Sequence, residues 1–180
     1  MPFENKTEYL VCFTARFHSV KPMCWFSKRI QFGHNDQKRY DTTVYRDHLK
    51  SYVERIRKAG GQAVIVSSVS RRSFDENGKI VSNLIKNEKY SYKGTLTDYA
   101  NAAEAVAEEL NLPFIDLHRA SIAHHNQIGR EESMSYNFKE GDTTHFNRKG
   151  AEAITELILE ELKTVVPEIA TSLNVEVPVE

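Results

Sequence analysis

The stretch Gly60-Gly61-Gln62-Ala63-Val64-Ile65-Val66-Ser67 decides the fold. Two glycines stop whatever precedes them, and the run that follows is apolar at consecutive positions and rich in β-branched residues. Strict alternation would mark a strand with one wet face. A continuous run bounded by turn residues marks a strand covered on both faces. Strands of that kind belong to parallel sheets flanked by helices. Working outward, Pro113-Phe114-Ile115-Asp116-Leu117 is a second short run of this type. Arg29-Ile30-Gln31-Phe32 is a third, ending at Gly33, and Tyr9-Leu10-Val11-Cys12-Phe13 is a fourth candidate.

Helical patterns fall between and after these runs. Tyr45, Leu49, Tyr52, Val53 and Ile56 share one helical face, with Gly60 as the stop. Tyr99, Ala102, Ala103, Val106 and Leu110 repeat the pattern, closed by Asn111 and Pro113. Ala151, Ile154, Leu157, Ile158 and Leu162 form a third face, with Asn147 as its N-cap. Phe74 to Ile80 reads as a hairpin, because Asn77-Gly78 suits a type I′ turn. Ala120 to Gly141 is polar and without clear period, which predicts a long loop. Strands alternating with helices give an α/β fold with a mostly parallel sheet.

The 180 residues suit one domain with a full core. Lys plus Arg number 24 against 25 Asp plus Glu, for a net charge of −1. That balance argues against a protein that holds nucleic acid by bulk charge. No apolar run approaches the ~20 residues of a membrane span, so no membrane partner is expected. The start lacks a basic region followed by an apolar one, so no signal peptide is read. As written, the chain is expected in the cytoplasm; a fuller N-terminus would allow secretion. Cys12 and Cys24 have neither a disulfide-framework nor a metal spacing and read as reduced thiols.

Two segments have the residue types that chemistry needs. Gly33-His34-Asn35-Asp36 follows a strand, and ligands in open α/β sheets sit at the carboxyl ends of strands. Asn35 offers an amide NH₂ to a developing oxyanion, although Asn and Asp also shape ordinary turns. Asp142-Thr143-Thr144-His145 precedes the last helix. An Asp three residues before a His can accept from one ring nitrogen across a tight turn, leaving the other nitrogen as a general base. The same residues also fit a charged turn in which Asp142 or Asn147 caps the helix.

Taken together, the segments resemble a family, the SGNH (GDSL-type) hydrolases, and within it the rhamnogalacturonan acetylesterase-like group. Gln31-Phe32-Gly33-His34-Asn35-Asp36 looks like the third sequence block of that group, and Gly141-Asp142-Thr143-Thr144-His145-Phe146-Asn147 like the fifth. Val69 to Lys79 is similar to the segment that connects them. The resemblance runs from about Ile30 to about Leu162. It implies a three-layer α/β/α sandwich of the SGNH, flavodoxin-like kind. It also implies an ester hydrolase that deacetylates plant cell-wall polysaccharide through an acyl-serine intermediate, with no metal and no organic cofactor. An acetylated carbohydrate, or another small ester, is then the expected partner, and nothing indicates an oligomeric state. Carried over by position, His145 matches the catalytic base, Asp142 the carboxylate that orients it, and Asn35 the oxyanion donor. His34 is expected to contact substrate or support the site.

The first block of the family, a Gly-Asp-Ser turn bearing the nucleophile, has no counterpart. The Gly-Asp at Gly141-Asp142 belongs to the fifth block, and no glycine occurs before Gly33. Residues 1–29 are therefore expected to be an atypical segment, followed by an N-terminally incomplete hydrolase domain over 30–166 and a tail over 167–180. The chain would be a shortened relative, or one whose first 29 residues come from a shifted frame or wrong start. No nucleophile is identified. Ser19 and Ser27 lack a strained turn, and Ser67, Ser68 and Ser70 sit in the connecting segment.

His124-His125 reads as a solvated pair, His18, His48 and His118 show no partner, and Arg71-Arg72 fits either a sugar or anion contact or a solvated, salt-bridged face. Two further functions compete with the hydrolase. One is a carbohydrate-binding module of the same fold without chemistry. The other is a metal-dependent phosphoesterase using His34, Asp36, Asp142 and His145, which chelators would inhibit.

Overall fold

The computed structural model describes residues 27–85 and 91–167. The strand expected over Tyr9–Phe13, both cysteines, His18 and Ser19 lie outside the described residues. Three parallel strands form one sheet in the order β1-β2-β3: β1 is Ser27–Gln31, β2 is Gln62–Val66 and β3 is Phe114–Ile115. β1 pairs with β2 along its whole length, Ser27 opposite Gln62 and Gln31 opposite Val66. β3 pairs through Phe114 opposite Ile65 and Ile115 opposite Val66.

The continuous apolar run of β2 is explained by the two layers it serves. Ala63 and Ile65 pack with Tyr45, Leu49 and Val53 of α1 (Thr42–Lys58) and with Tyr99, Ala103 and Val106 of α2 (Leu96–Glu109). Val64 and Val66 point the other way, to Ile115, Leu117, and to Ile154 and Leu162 of α4 (Arg148–Val165). Helices thus cover both faces, and the molecule is an α/β/α sandwich. Each fully buried aliphatic side chain contributes about 1.5–3 kcal/mol, so β2 serves both cores at once.

Helix starts follow their polar residues. The Asp41 carboxylate accepts from Val44 N and opens α1. Thr95 and Asp98 form a reciprocal capping box on α2. Asn147 accepts from Gly150 N and opens α4, as its position in the sequence suggests.

Two expectations are corrected. The stretch from Ala120 is not a loop up to Gly141, because α3 spans Leu117–Met134. Its inward face is built from His118, Ser121, His125 and Ser133, all buried. Polar residues on the core face leave no apolar period to read, and Gly129, at φ 82°, breaks the helix partway. The hairpin exists, with Phe74 bridged antiparallel to Ile80, but its turn is not type I′. That type needs positive φ at both central residues. Gly78 has φ 72° and Asn77 is not in that region. Instead, the Asp75 carboxylate accepts from Asn77 N and Lys79 N and shapes the turn itself.

Candidate active site

The carboxyl end of β1 leads straight into the first of the two candidate segments, and the chain leaving β2 carries the arginines that bond to the second. After β1 the chain turns at Gly33, whose N–H donates to Asp36 Oδ2 at 3.1 Å. A short 3-10 turn over Asp36–Lys38 follows, and Gln37 N closes back onto Gly33 O at 2.9 Å. Asn35 sits exposed at the head of this turn. Its Oδ1 accepts from Lys38 Nζ at 3.0 Å, which directs its NH₂ away from that contact. Among the described residues the NH₂ has no hydrogen-bond partner.

The second segment precedes α4. Asp142 accepts from the His145 ring: Nδ1 lies 2.9 Å from Oδ2 and 3.1 Å from Oδ1. Oδ1 also accepts from the backbone N–H groups of His145 (2.9 Å) and Thr144 (3.1 Å). Burial pushes the Asp142 carboxyl up, but the bonds from His145 and Thr144 outweigh it and hold the carboxyl at about 2. Asp142 is a carboxylate at neutral pH. It fixes Nδ1 as the protonated nitrogen and leaves Nε2 as an acceptor. The His145 side chain is 75% exposed, so Nε2 faces solvent. No hydroxyl or thiol among the described residues bonds to it. Asp142 does not cap α4; Asn147 does.

His34 stands beside the site. Burial lowers its pKa to about 3, helped by the nearby charges of Arg71, Lys38, His118 and His145. The ring is therefore neutral, and its Nε2 is buried without a partner among the described residues. Adjacent arginines link the two segments, over 100 residues apart in sequence: Arg71 bonds to Gln37 beside the first, and Arg72 bonds to Asp142, Thr143 and His145 in the second.

Two of the three serines that follow β2 are committed elsewhere. Ser67 Oγ donates to Asp116 Oδ1 at 3.1 Å and accepts from His118 N at 2.8 Å. Ser68 Oγ donates to Phe32 O at 2.5 Å. Ser70 Oγ is buried without a partner.

Several residues differ from their sequence reading. Arg71 and Arg72 form no solvated face; both are buried. Arg71 donates to Gln37 Oε1 at 3.0 Å and lies over the Tyr92 ring. Arg72 is spent on backbone and amide oxygens around the Asp142 turn. His125 is not solvated: it is fully buried, with Nδ1 3.1 Å from Ser133 Oγ. Burial, then His124 and Arg72, lowers its pKa to about 4. His124 reaches Tyr136 Oη at 3.3 Å. His118 has a partner after all, its Nε2 lying 2.9 Å from Thr97 Oγ1. His48 lies edge-on to Tyr40 and 4.0 Å from Asp36. The described residues include no group of three or more His, Cys, Asp or Glu placed to hold a metal ion, so His34, Asp36, Asp142 and His145 do not form one. Among them, no helix is long and apolar enough to cross a membrane.

An α/β/α sandwich with an Asp-His pair and an Asn at the carboxyl edge of its sheet has the outline of an ester hydrolase. Comparison with known proteins gives the family. Residues 29–153 match the GDSL-like Lipase/Acylhydrolase family, and the chain belongs to that family. It is 36% identical over 149 residues to rhamnogalacturonan acetylesterase RhgT of Bacillus subtilis (strain 168), a match covering 74% of this chain and 59% of that protein. It is 30% identical over 154 residues to the probable rhamnogalacturonan acetylesterase YesY of the same organism, covering 80% of this chain and 64% of the relative. The chain thus spans less than two thirds of the length of either relative. Among solved structures, the crystal structure of the Bacillus subtilis protein YxiM superimposes with a TM-score of 0.60 at 23% identity, over 77% of this chain and 36% of that one. A salicylyl-acyltransferase from a tetracycline biosynthetic pathway gives 0.55 at 23% identity, over 77% and 38%. Both likenesses bear on the fold.

Proposed function

We propose that this chain belongs to a carbohydrate acetylesterase and carries the base and oxyanion half of its site. His145 Nε2 takes the proton from an attacking serine hydroxyl as its oxygen bonds to the acetyl carbon. Asp142 holds Nδ1–H and stabilises the imidazolium that forms. Asn35 Nδ2 donates to the carbonyl oxygen as it becomes an oxyanion, a donor whose loss typically costs about 10²–10³ in rate. The imidazolium then protonates the sugar ester oxygen as its bond to the acetyl carbon breaks, and the sugar leaves with a free hydroxyl. Water, deprotonated by the same Nε2, releases acetate from the acyl-serine. His34, neutral and half-buried at the rim, lies where it can contact the sugar. The substrate class, an acetylated rhamnogalacturonan-like polysaccharide, is suggested by the names of the two Bacillus relatives.

The observation that carries this reading is the Asp142–His145 pair with its second nitrogen open to solvent. The open nitrogen also favours a second reading, a carbohydrate-binding module in which pocket residues remain without turnover. No serine is placed against Nε2 among the described residues, and no Gly-Asp-Ser occurs in the sequence.

One experiment separates the two. Acetylated and deacetylated rhamnogalacturonan oligosaccharides are titrated into the chain, with NMR shifts of Asn35, His34 and His145 followed and acetate release measured against a His145→Ala control. Perturbation at those residues with no acetate above the control is the outcome expected for this chain on its own. Release above the control, with a serine-directed phosphonate labelling the chain, would place a nucleophile within these 180 residues. No perturbation at any of the three residues and no release would remove the carbohydrate-ester reading.

A further inference from the structure

We propose that Arg72 is the positioning residue for the Asp142–His145 turn, holding its backbone so that the imidazole meets the carboxylate; the inference rests on reading that turn as the catalytic pair. Arg72 is fully buried and lies in the connecting segment that leaves β2. Its side chain bonds only to neutral oxygens among the described residues. Nε donates to Asn137 Oδ1 at 2.7 Å, and Nη2 donates to Asp142 O at 3.0 Å and His145 O at 2.6 Å. Its backbone N–H donates to Thr143 O at 3.0 Å. One residue therefore takes three of the four carbonyls from Asp142 to His145, including both ends of the turn. The Phe146 ring lies 4.1 Å from the guanidinium centre and closes that side.

Two physical points turn this from packing into positioning. First, a buried guanidinium is costly, and an apolar side chain of similar volume would fill the space with less desolvation. What only the planar guanidinium supplies is several donors at fixed angles, which can bridge carbonyls on neighbouring strands of a turn. Second, the His145 ring is three-quarters exposed, and among the described residues its hydrogen bonds are to Asp142. No wall of packed atoms sets its direction. Its direction is set by the backbone at each end of the turn, and that backbone is what Arg72 grips.

The test uses the full chain, ¹⁵N-labelled at histidine, with long-range proton–nitrogen spectra that report the tautomer of His145, and amide exchange that reports its N–H. Wild type is expected to show His145 fixed with Nδ1 protonated. Arg72→Met should give mixed tautomers and about a tenfold or greater loss of protection at the His145 amide, while amides of Val64–Val66 keep theirs. Arg72→Lys should restore the tautomer only in part, because an ammonium lacks the fork. A wild-type tautomer and wild-type protection in Arg72→Met would overturn the proposal. Should that variant not fold, Asn137→Ala, which removes the Nε partner and a weak bond to Met134 Sδ, is expected to shift the tautomer in the same direction and by less. Unchanged His145 signals in Asn137→Ala would then overturn it. A mixed tautomer in wild type itself, unaltered by Asp142→Asn, would instead sink the underlying reading of the pair.

Discussion

Gly33 shows how much of the site hangs on single residues. Its φ of 135° is one that side chains rarely adopt, and a Cβ there would run into Ser68 Oγ. That hydroxyl holds Phe32 O at 2.5 Å, so the turn into Asn35 is pinned from β2. Gly33→Ala should combine backbone strain with a lost hydrogen bond and destabilise the chain by about 2–3 kcal/mol. Urea unfolding measures this; a loss below about 0.5 kcal/mol would mean that the turn relaxes freely. The Asp142–His145 pair could be read from sequence because it is local, three residues across one turn. The role of Arg72 could not, since its partners lie 65 to 73 residues away. Only the folded sheet brings them within reach, and an Arg-Arg pair in sequence looks like surface.

At the scale of elements, the helices differ in what their caps do. Thr95 satisfies only the start of α2 and its own capping box. Asn147 caps α4 through Oδ1, while its NH₂ donates to Ser135 O at 2.7 Å and Asn137 O at 3.2 Å. The second cap therefore ties α4 to the segment after α3 and to the residue that receives Arg72 Nε. Thr95→Ala is expected to cost about 1 kcal/mol, and Asn147→Ala about 2–3 kcal/mol because two carbonyls also lose their donor. Equal costs by chemical denaturation would show that the extra bonds contribute nothing. The elements legible in the sequence were those with apolar residues on their buried faces: the three strands and helices α1, α2 and α4. The element that was not, α3, buries His118, Ser121, His125 and Ser133, and all four bond to other parts of the fold or to one another. A helix stabilised by polar contacts across the fold leaves no period in its own sequence.

For the whole molecule, these buried histidines link stability to pH. His125, fully enclosed between α3 and Tyr136, is lowered to about 4, and His34 at the sheet edge to about 3, burial being the leading cause for both. The unfolded chain would protonate both near 6.5. Above that pH neither state binds the proton and stability does not depend on them. As pH falls from about 6.5 toward 4, the unfolded state takes up protons that the folded state refuses, so stability drops. Each histidine contributes on the order of 3 kcal/mol at the low end of that window, a large share of the about 5–15 kcal/mol available to a domain. Asp142 behaves oppositely in chemistry but alike in sign. Its carboxyl is depressed to about 2, so its stabilisation is present above about 4 and is lost between about 4 and 2. Urea midpoints are therefore expected to be level above about pH 7, to fall steeply between about 6.5 and 4, and to fall again below. His125→Gln should flatten part of the first fall and leave the second. Asp142→Asn should do the reverse. A midpoint constant from about pH 7.5 to 4.5 would mean that both rings protonate in place, with water reaching the core around α3 and the rim of the site.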